Sequence, residues 1–303
     1  MFKNHRLRNV TIISEIHPQH YGSMSETKRM ILQSKLGGAD IVKVQLYDSK
    51  KLWGDKSRIN LDISKDELNE INDFCKIHGI ELSASVFDIK RIEWCEELNF
   101  QTYKIASRSV ADTELCEKII SLNKKTIISL GMFDYEKEGL PYKKNENINY
   151  LYCVAKYPTN LDDIYMPDFN NSFFDGFSDH TIGISACVYA LSRGARIIEK
   201  HFGNSKSMNI DISPGHAGSM NIYELEKIRE LSEYSNRKEE ITIDLKEQKI
   251  IYGNNEIQFD IDQFKKKCLL EGLDDIAISL EKSNKITLFE KNLKNIKPWI
   301  FND

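Results

Sequence analysis

Eight short apolar runs, most of them followed by a segment of helical periodicity, constrain this chain more than any other feature. The strand-like runs are 10–15, 41–46, 81–85, 102–105, 126–130, 149–154, 173–177 and 196–200, and amphipathic segments at 25–36, 65–77, 89–98, 112–122 and 184–193 lie between them. Parallel strands need a long crossover, usually helical, so this alternation builds βαβ units. Eight repeats fit a closed barrel better than an open sheet, and the expected fold is an α/β chain forming a (β/α)8 TIM barrel. Two crossovers are atypical, 134–146 and 158–172, the second rich in Asp, Asn and Pro.

The texture changes after 223–235, which reads as the closing barrel helix. Residues 237–240 (Arg-Lys-Glu-Glu) are charged and linker-like. Runs at 241–245 and 249–252, with a Gly253-Asn-Asn turn, read as a hairpin, and 264–270 and 278–290 read as helices. The expected organisation is a barrel over 1–237 and a small C-terminal α+β appendage over 238–303.

The 303 residues are 41% apolar and 29% charged, with a net charge of −4. No basic stripe carries interleaved aromatics, so neither nucleic acid nor a membrane surface is an expected partner. The basic start, MFKNHRLRN, precedes only four apolar or hydroxyl residues (10–13), too few for a signal-peptide core, and no window reaches transmembrane length. The six cysteines are scattered without CxxC spacing and read as reduced thiols, which makes the cytoplasm the expected compartment.

Polar residues gather at or just beyond the C-terminal ends of the runs: Glu15, Lys43, Gln45, Ser85, Lys104, Ser107, Ser129, Tyr157, His180 and His201. Active sites of barrels are assembled from those ends. Lys43 alone reads as a solvent-facing lysine; the repetition over successive strands reads as a site. In Ser178-Asp-His-Thr and Glu199-Lys-His, two histidines end successive strands one crossover apart. A lone histidine there is ordinarily a satisfied polar residue. The pair also reads as a metal half-site with open positions, and the residues alone leave both readings standing.

These residues fall into motifs that together resemble the sialic acid synthase family of phosphoenolpyruvate-dependent nonulosonic acid synthases. The elements run in order: Ser14-Glu-Ile, His20-Tyr-Gly-Ser23, Gly38-Ala-Asp-Ile-Val-Lys-Val-Gln45, Lys104-Ile-Ala-Ser107, Ile128-Ser-Leu-Gly-Met132, Cys153-Val-Ala-Lys-Tyr-Pro-Thr159, Ser178-Asp-His-Thr-Ile-Gly183 and Gly194-Ala-Arg-Ile-Ile-Glu-Lys-His-Phe202. The resemblance implies a TIM barrel that binds Mn²⁺ or Mg²⁺. It implies condensation of phosphoenolpyruvate with an acylated aldose, giving a nonulosonic acid and phosphate, and by analogy a homodimer. His180 and His201 match the metal ligands. Lys43, Ser85, Lys104, Ser107, Ser129 and Ser178 match positions holding the phosphate and carboxylate of phosphoenolpyruvate. Gln45 and Tyr157 match sugar-side contacts and Glu15 an acid of the site. Asp179 reads either as a carboxylate orienting a histidine or as a cap of the following helix.

Departures from the pattern are specific. The family's Glu-Ile-Gly-x-Asn-His reads here Glu15-Ile-His-Pro-Gln-His20, adding His17 and substituting Gln19. The acid that normally follows Lys-Ile-x-Ser is missing from Lys104-Ile-Ala-Ser-Arg-Ser109, which leaves water addition without its usual partner. Ala155 replaces a polar residue, and Gly215 an aspartate, for which Asp211 is a candidate substitute; His216 reads as a loop histidine or a further ligand.

Residues 240–300 do not resemble the antifreeze-like domain that commonly ends these synthases. They resemble instead the C-terminal part of the isopropylmalate dehydratase small subunit, without its Gly-Ser-Ser-Arg loop or a cluster-ligating cysteine triad. No dehydratase activity or iron–sulfur centre is therefore expected. The appendage is expected to pack on the barrel, pair subunits or cover the sugar pocket. Two other readings of the barrel stay open: one that keeps metal and anion subsites for aldol cleavage or isomerisation, and a non-catalytic sugar-phosphate-binding partner protein.

Overall fold

The computed structural model describes residues 10–54, 58–203, 219–236, 241–297 and 299. Two compact units are present, residues 1–237 and 238–303. In the first, eight parallel strands close on themselves: β1 (Thr11–Glu15), β2 (Ile41–Leu46), β3 (Glu81–Val86), β4 (Thr102–Ile105), β5 (Lys125–Ser129), β6 (Ile148–Cys153), β7 (Phe174–Asp179) and β8 (Ile197–His201). The expected (β/α)8 barrel is thus the observed one. The two atypical crossovers carry only a one-turn helix, Tyr135–Glu138, and a 3₁₀ turn, Leu161–Asp163.

Local chemistry sets the crossover helices. In Lys65–His78, Ser64 and Glu67 form a reciprocal capping box, Leu68, Ile71 and Cys75 recur on one buried face, and Gly79 ends the helix at φ +62°. Such faces and the outward side of the strands make one large apolar core. Inside the barrel lies a separate layer of Ile13, Ile41, Ile127, Leu151 and Ile197. Side chains alternate along a strand, so the next inward residues, two positions on, form a layer nearer the C-terminal ends. Those residues are Glu15, Lys43, Ser129, Cys153 and Glu199.

Strand β7 is adjusted to serve that layer. Its pairing with β6 shifts at Asp175, so Tyr150 pairs with Phe174 and Leu151 with Gly176. Asp175 accepts from the Tyr150 amide at 3.0 Å and pairs with Lys144 at 3.0 Å. Gly176 then passes so close to β8 that an added Cβ would lie 2.0 Å from the Ile197 carbonyl oxygen, a position only glycine tolerates.

The second unit contains an antiparallel sheet, β9 (Ile241–Asp244), β10 (Lys249–Tyr252) and β11 (Asn255–Gln258), so the expected hairpin gains a third strand. The expected helix at 278–290 is divided: Asp275–Glu281 ends at Lys282, whose φ −94°, ψ 2° turns the chain into Ser283–Ile296.

Candidate active site

The layer above the apolar plug carries buried acids and a lysine that pair with one another. Lys43 Nζ lies 2.9 Å from Glu15 Oε2 and 2.8 Å from Glu199 Oε2. Glu199 Oε1 accepts from Ser178 Oγ at 2.8 Å and lies 3.6 Å from Lys104 Nζ, which also donates to the Ile105 carbonyl at 3.1 Å. The barrel twist makes this possible: β1 and β7 both pair with β8, placing Glu15 beside His201 and Ser178 beside Glu199.

Position within this network separates the four charges. Burial alone lowers Lys43, but two flanking carboxylates outweigh it and raise its pKa. Burial raises Glu199, yet Lys104, Lys43 and the Ser178 hydroxyl hold it at about 2. Among the described residues Glu15 forms an ion pair with Lys43 alone, and burial keeps its pKa above the usual carboxylate range. Lys104, with Glu199 at longer range, is pushed down to about 8 by burial. Lys43 is a structural hub, while Lys104 retains donor capacity.

Above this layer the imidazoles of His180 and His201 approach each other, with ring centroids 5.9 Å apart. The Tyr157 ring packs 4.0 Å from His180, centroid to centroid. His180 Nδ1 is 3.0 Å from the Val154 carbonyl oxygen. A carbonyl only accepts, so Nδ1 carries the proton and Nε2 keeps its lone pair, the arrangement that outer partners impose on metal-binding histidines. An imidazole nitrogen held at about 2.1 Å puts its ring centroid roughly 3.2 Å from an ion, so two rings on one ion reach about 6.4 Å. The observed separation of 5.9 Å lies within that reach. Among the described residues no group of three or more His, Cys, Asp and Glu side chains is arranged to hold a metal ion.

The remaining expected residues divide by what they already touch. Ser107 Oγ accepts from the Gly131 amide at 3.0 Å, and an added Cβ on Gly131 would meet Cys153 Sγ at 2.9 Å. Gln45 Nε2 donates to Glu15 Oε2 at 3.4 Å. Ser85 is buried at the register position shared by Gln45 and Lys104. Ser178 is committed to Glu199, whereas the buried Ser129 Oγ has no hydrogen-bond partner among the described residues. A buried hydroxyl left unpaired is costly unless something meets it.

Two residues escaped the sequence reading. Glu199 joins both lysines and Ser178; the available signal was its place two residues before His201 on the same strand. Cys153 lies 3.8 Å from His180 Nδ1. Burial raises its thiol, but His180 and Lys104 outweigh that and lower its pKa. Asp179 does not cap the helix that follows, Ser185–Ser192: it pairs with Lys200 at 2.7 Å, accepts from the thiol of Cys187 within that helix at 3.0 Å and accepts from the Thr181 amide at 2.8 Å. This wholly buried pair joins the strands just below the two histidines.

The departures have their own geometry. His20 Nδ1 accepts from the Gly22 amide, so its Nε2 donates to His17 Nδ1 at 2.9 Å, and His17 Nε2 faces the Tyr47 hydroxyl at 2.8 Å. Burial holds His20 neutral, at about 4. Gln19 donates to Ser219 Oγ at 3.1 Å. Asp211, Gly215 and His216 lie outside the described residues.

A cavity of about 520 Å³ opens at this end of the barrel, with Gln45, Ser107, Ala155, Tyr157 and His201 among its walls. Fold and site together define a (β/α)8 barrel with a charge-paired interior and a histidine pair at its C-terminal mouth. The NeuB family profile matches residues 30–240, and the chain belongs to that family. It is 28% identical over 253 residues to the N,N'-diacetyllegionaminic acid synthase of Campylobacter jejuni, covering 73% of this chain and 75% of that protein. A crystal structure of N-acetylneuraminic acid synthetase from Leptospira borgpetersenii in complex with citrate shares the fold, with TM-score 0.67 and 24% identity over 77% of this chain and 85% of that one. A different likeness covers 26% of the chain. It is 78% identical over 78 residues to the 3-isopropylmalate dehydratase small subunit of Pelagibacter ubique, of whose length it spans 38%.

Proposed function

We propose that this chain is a metal-dependent synthase that condenses phosphoenolpyruvate with an acylated aldose, yielding a nonulosonic acid and phosphate. The observation that carries this reading is the vertical order of the site: Lys104 and the unpartnered Ser129 hydroxyl in the buried layer, the two imidazoles above them. The membership of the family and the name of the Campylobacter relative support it.

Lys104 and Ser129, with Ser107 at the rim of the layer, supply donors for the phosphate and carboxylate of phosphoenolpyruvate. Lys43 holds Glu15 and Glu199 in place rather than meeting the substrate with its full charge, since both its near neighbours are carboxylates. Glu15, the acid with the raised pKa, is the group suited to hold and pass a proton. His180 and His201 would hold Mn²⁺ or Mg²⁺, which when bound polarises the aldehyde oxygen and activates a water. Tyr157 and Gln45 face the cavity where the aldose would lie.

Incubation with Mn²⁺, phosphoenolpyruvate and a panel of N-acylhexosamines should release phosphate and form a keto acid in equal amounts. Pyruvate released from a preformed nonulosonic acid, with no phosphate released from phosphoenolpyruvate, would replace this reading by lyase chemistry, and silence across both assays would overturn it.

A further inference from the structure

The walls of the cavity include three residues that the chemistry above does not use: Trp53, Arg58 and Arg108. They come from the segment following β2 and the turn following β4. The guanidinium carbons of Arg58 and Arg108 lie 4.6 and 4.4 Å from the Trp53 ring centroid. Two cations thus share one indole. Among the described residues neither arginine pairs with a carboxylate, whereas Lys43, Lys104 and Lys200 each have one. Arg108 and Trp53 are exposed and Arg58 half-buried, so this pair occupies the outer wall, above the buried lysine layer.

A guanidinium stacked on a ring uses its π face for the contact and keeps its in-plane N–H donors for a ligand. Two like charges held together without a counter-ion repel each other, and an anion bridging them removes that penalty. The sequence points the same way. Where the resemblance places an acid after Lys-Ile-x-Ser, this chain reads Arg108-Ser109, so the β4 turn changes from negative to positive.

We infer that Arg58 and Arg108, braced on Trp53, form a second anion subsite, and that the acceptor is an aldose carrying a phosphate or carboxylate remote from its aldehyde. The inference rests on the condensation reading for the identity of the acceptor, though not for the existence of the anion site.

The test compares neutral N-acetylhexosamines, their 6-phosphates and the matching uronic acids, using the full chain with Mn²⁺ and phosphoenolpyruvate. Binding is followed by tryptophan fluorescence and turnover by phosphate release. At least one charged series should bind tenfold or more tighter than its neutral parent, and the stronger of the two identifies phosphate or carboxylate as the group held. R58Q/R108Q should bring the charged sugars to the level of the neutral ones, while Arg108→Lys keeps part of the preference and shows that the fold survives. Equal binding of charged and neutral sugars overturns the proposal, as does a preference that persists in R58Q/R108Q. A loss that falls on phosphoenolpyruvate instead assigns the arginines to the deeper substrate and also overturns it. Arginine-dependent binding of charged sugars with no turnover of any sugar leaves this subsite standing and removes the condensation reading.

Discussion

The two units of this chain invert the usual distribution of charge and hydrocarbon in different ways. The barrel buries Glu15, Lys43, Lys104, Asp179, Glu199 and Lys200, while the second unit exposes Phe264, Leu269, Ile276, Leu280, Leu288 and Phe289. In the barrel the anomaly is compensated, since every one of those charges has a partner within 3.6 Å. Desolvating a charge is so costly that such an arrangement marks a built site. In the second unit no compensation is visible in the exposed side chains themselves. Its helices are well capped, for example by Asp274 accepting from the Ala277 amide at 2.7 Å. The 78-residue likeness to the dehydratase small subunit spans 38% of that subunit's length. Local signals are enough to form helices; burial of their apolar faces takes the remainder of a fold. High identity over part of a domain therefore says less about function than moderate identity over a complete barrel.

The sharpest break of this contrast is at the histidines. H180A should lower the rate of phosphate release by about a thousandfold, because a metal that polarises the reacting oxygen supplies several kcal/mol. His201→Ala should do the same, with unchanged circular dichroism in both, and stoichiometric Mn²⁺ binding should disappear. Retention of more than a tenth of the activity would return the pair to the ordinary reading of two satisfied polar side chains.

Next in size is Glu199. E199Q preserves shape but removes the charge shared by Lys43 and Lys104, and should cost about 3 kcal/mol in urea unfolding at neutral pH. The pH dependence follows from its pKa of about 2, below the ordinary 4.5. The stabilisation is complete above 4.5 and is lost as pH falls through 2, so the E199Q variant should lack that part of the acid limb.

Much of the barrel was legible, because strand alternation and crossover length are properties of consecutive residues. The site was legible where a strand ended in an unusual residue, as at Lys43, His180 and His201. Glu199 was not, because a glutamate before Lys-His is unremarkable until β8 is placed against β1 and β7, and that register is a property of closure. For the same reason the sequence could not separate Lys43, held between two carboxylates, from Lys104, held by one at longer range. Nor could it show that Ser178 is taken by Glu199 while Ser129 is unpartnered. In the second unit the break at Lys282 was hidden, since the apolar spacing of 278–290 continues across it.

Lys104 gives a smaller, pH-resolved effect. Its pKa of about 8 lies below the ordinary 10.5 because of burial. Between 8 and 10.5 the unfolded chain holds a proton that the folded chain lacks, so this group raises stability as pH rises through that window; below 8 the burial penalty is present in full. Substrate binding runs the opposite way, because only the protonated amine attracts phosphoenolpyruvate. Its Kd for the free enzyme should rise above pH 8, approaching tenfold per pH unit, and K104M should flatten that profile.

The smallest effect tests the second unit. Phe289 and Leu288 are 63% and 61% exposed on the helix Ser283–Ile296, whereas Ile127 in the barrel plug is 1% exposed. Removing a side chain that already meets water forfeits little burial, so F289S should change unfolding free energy by less than about 0.5 kcal/mol. I127A leaves a cavity between β strands that cannot collapse around it, and should cost about 2–5 kcal/mol. Differential scanning calorimetry of both variants decides the matter. A loss of more than about 1 kcal/mol in F289S would mean that the face carrying Phe289 is covered in solution, since surface substitutions away from such contacts stay near half that value. The contrast between a compensated barrel and an uncompensated tail would then narrow to a difference in what each unit packs against, with the tail's apolar side chains serving association rather than simply lying open to water.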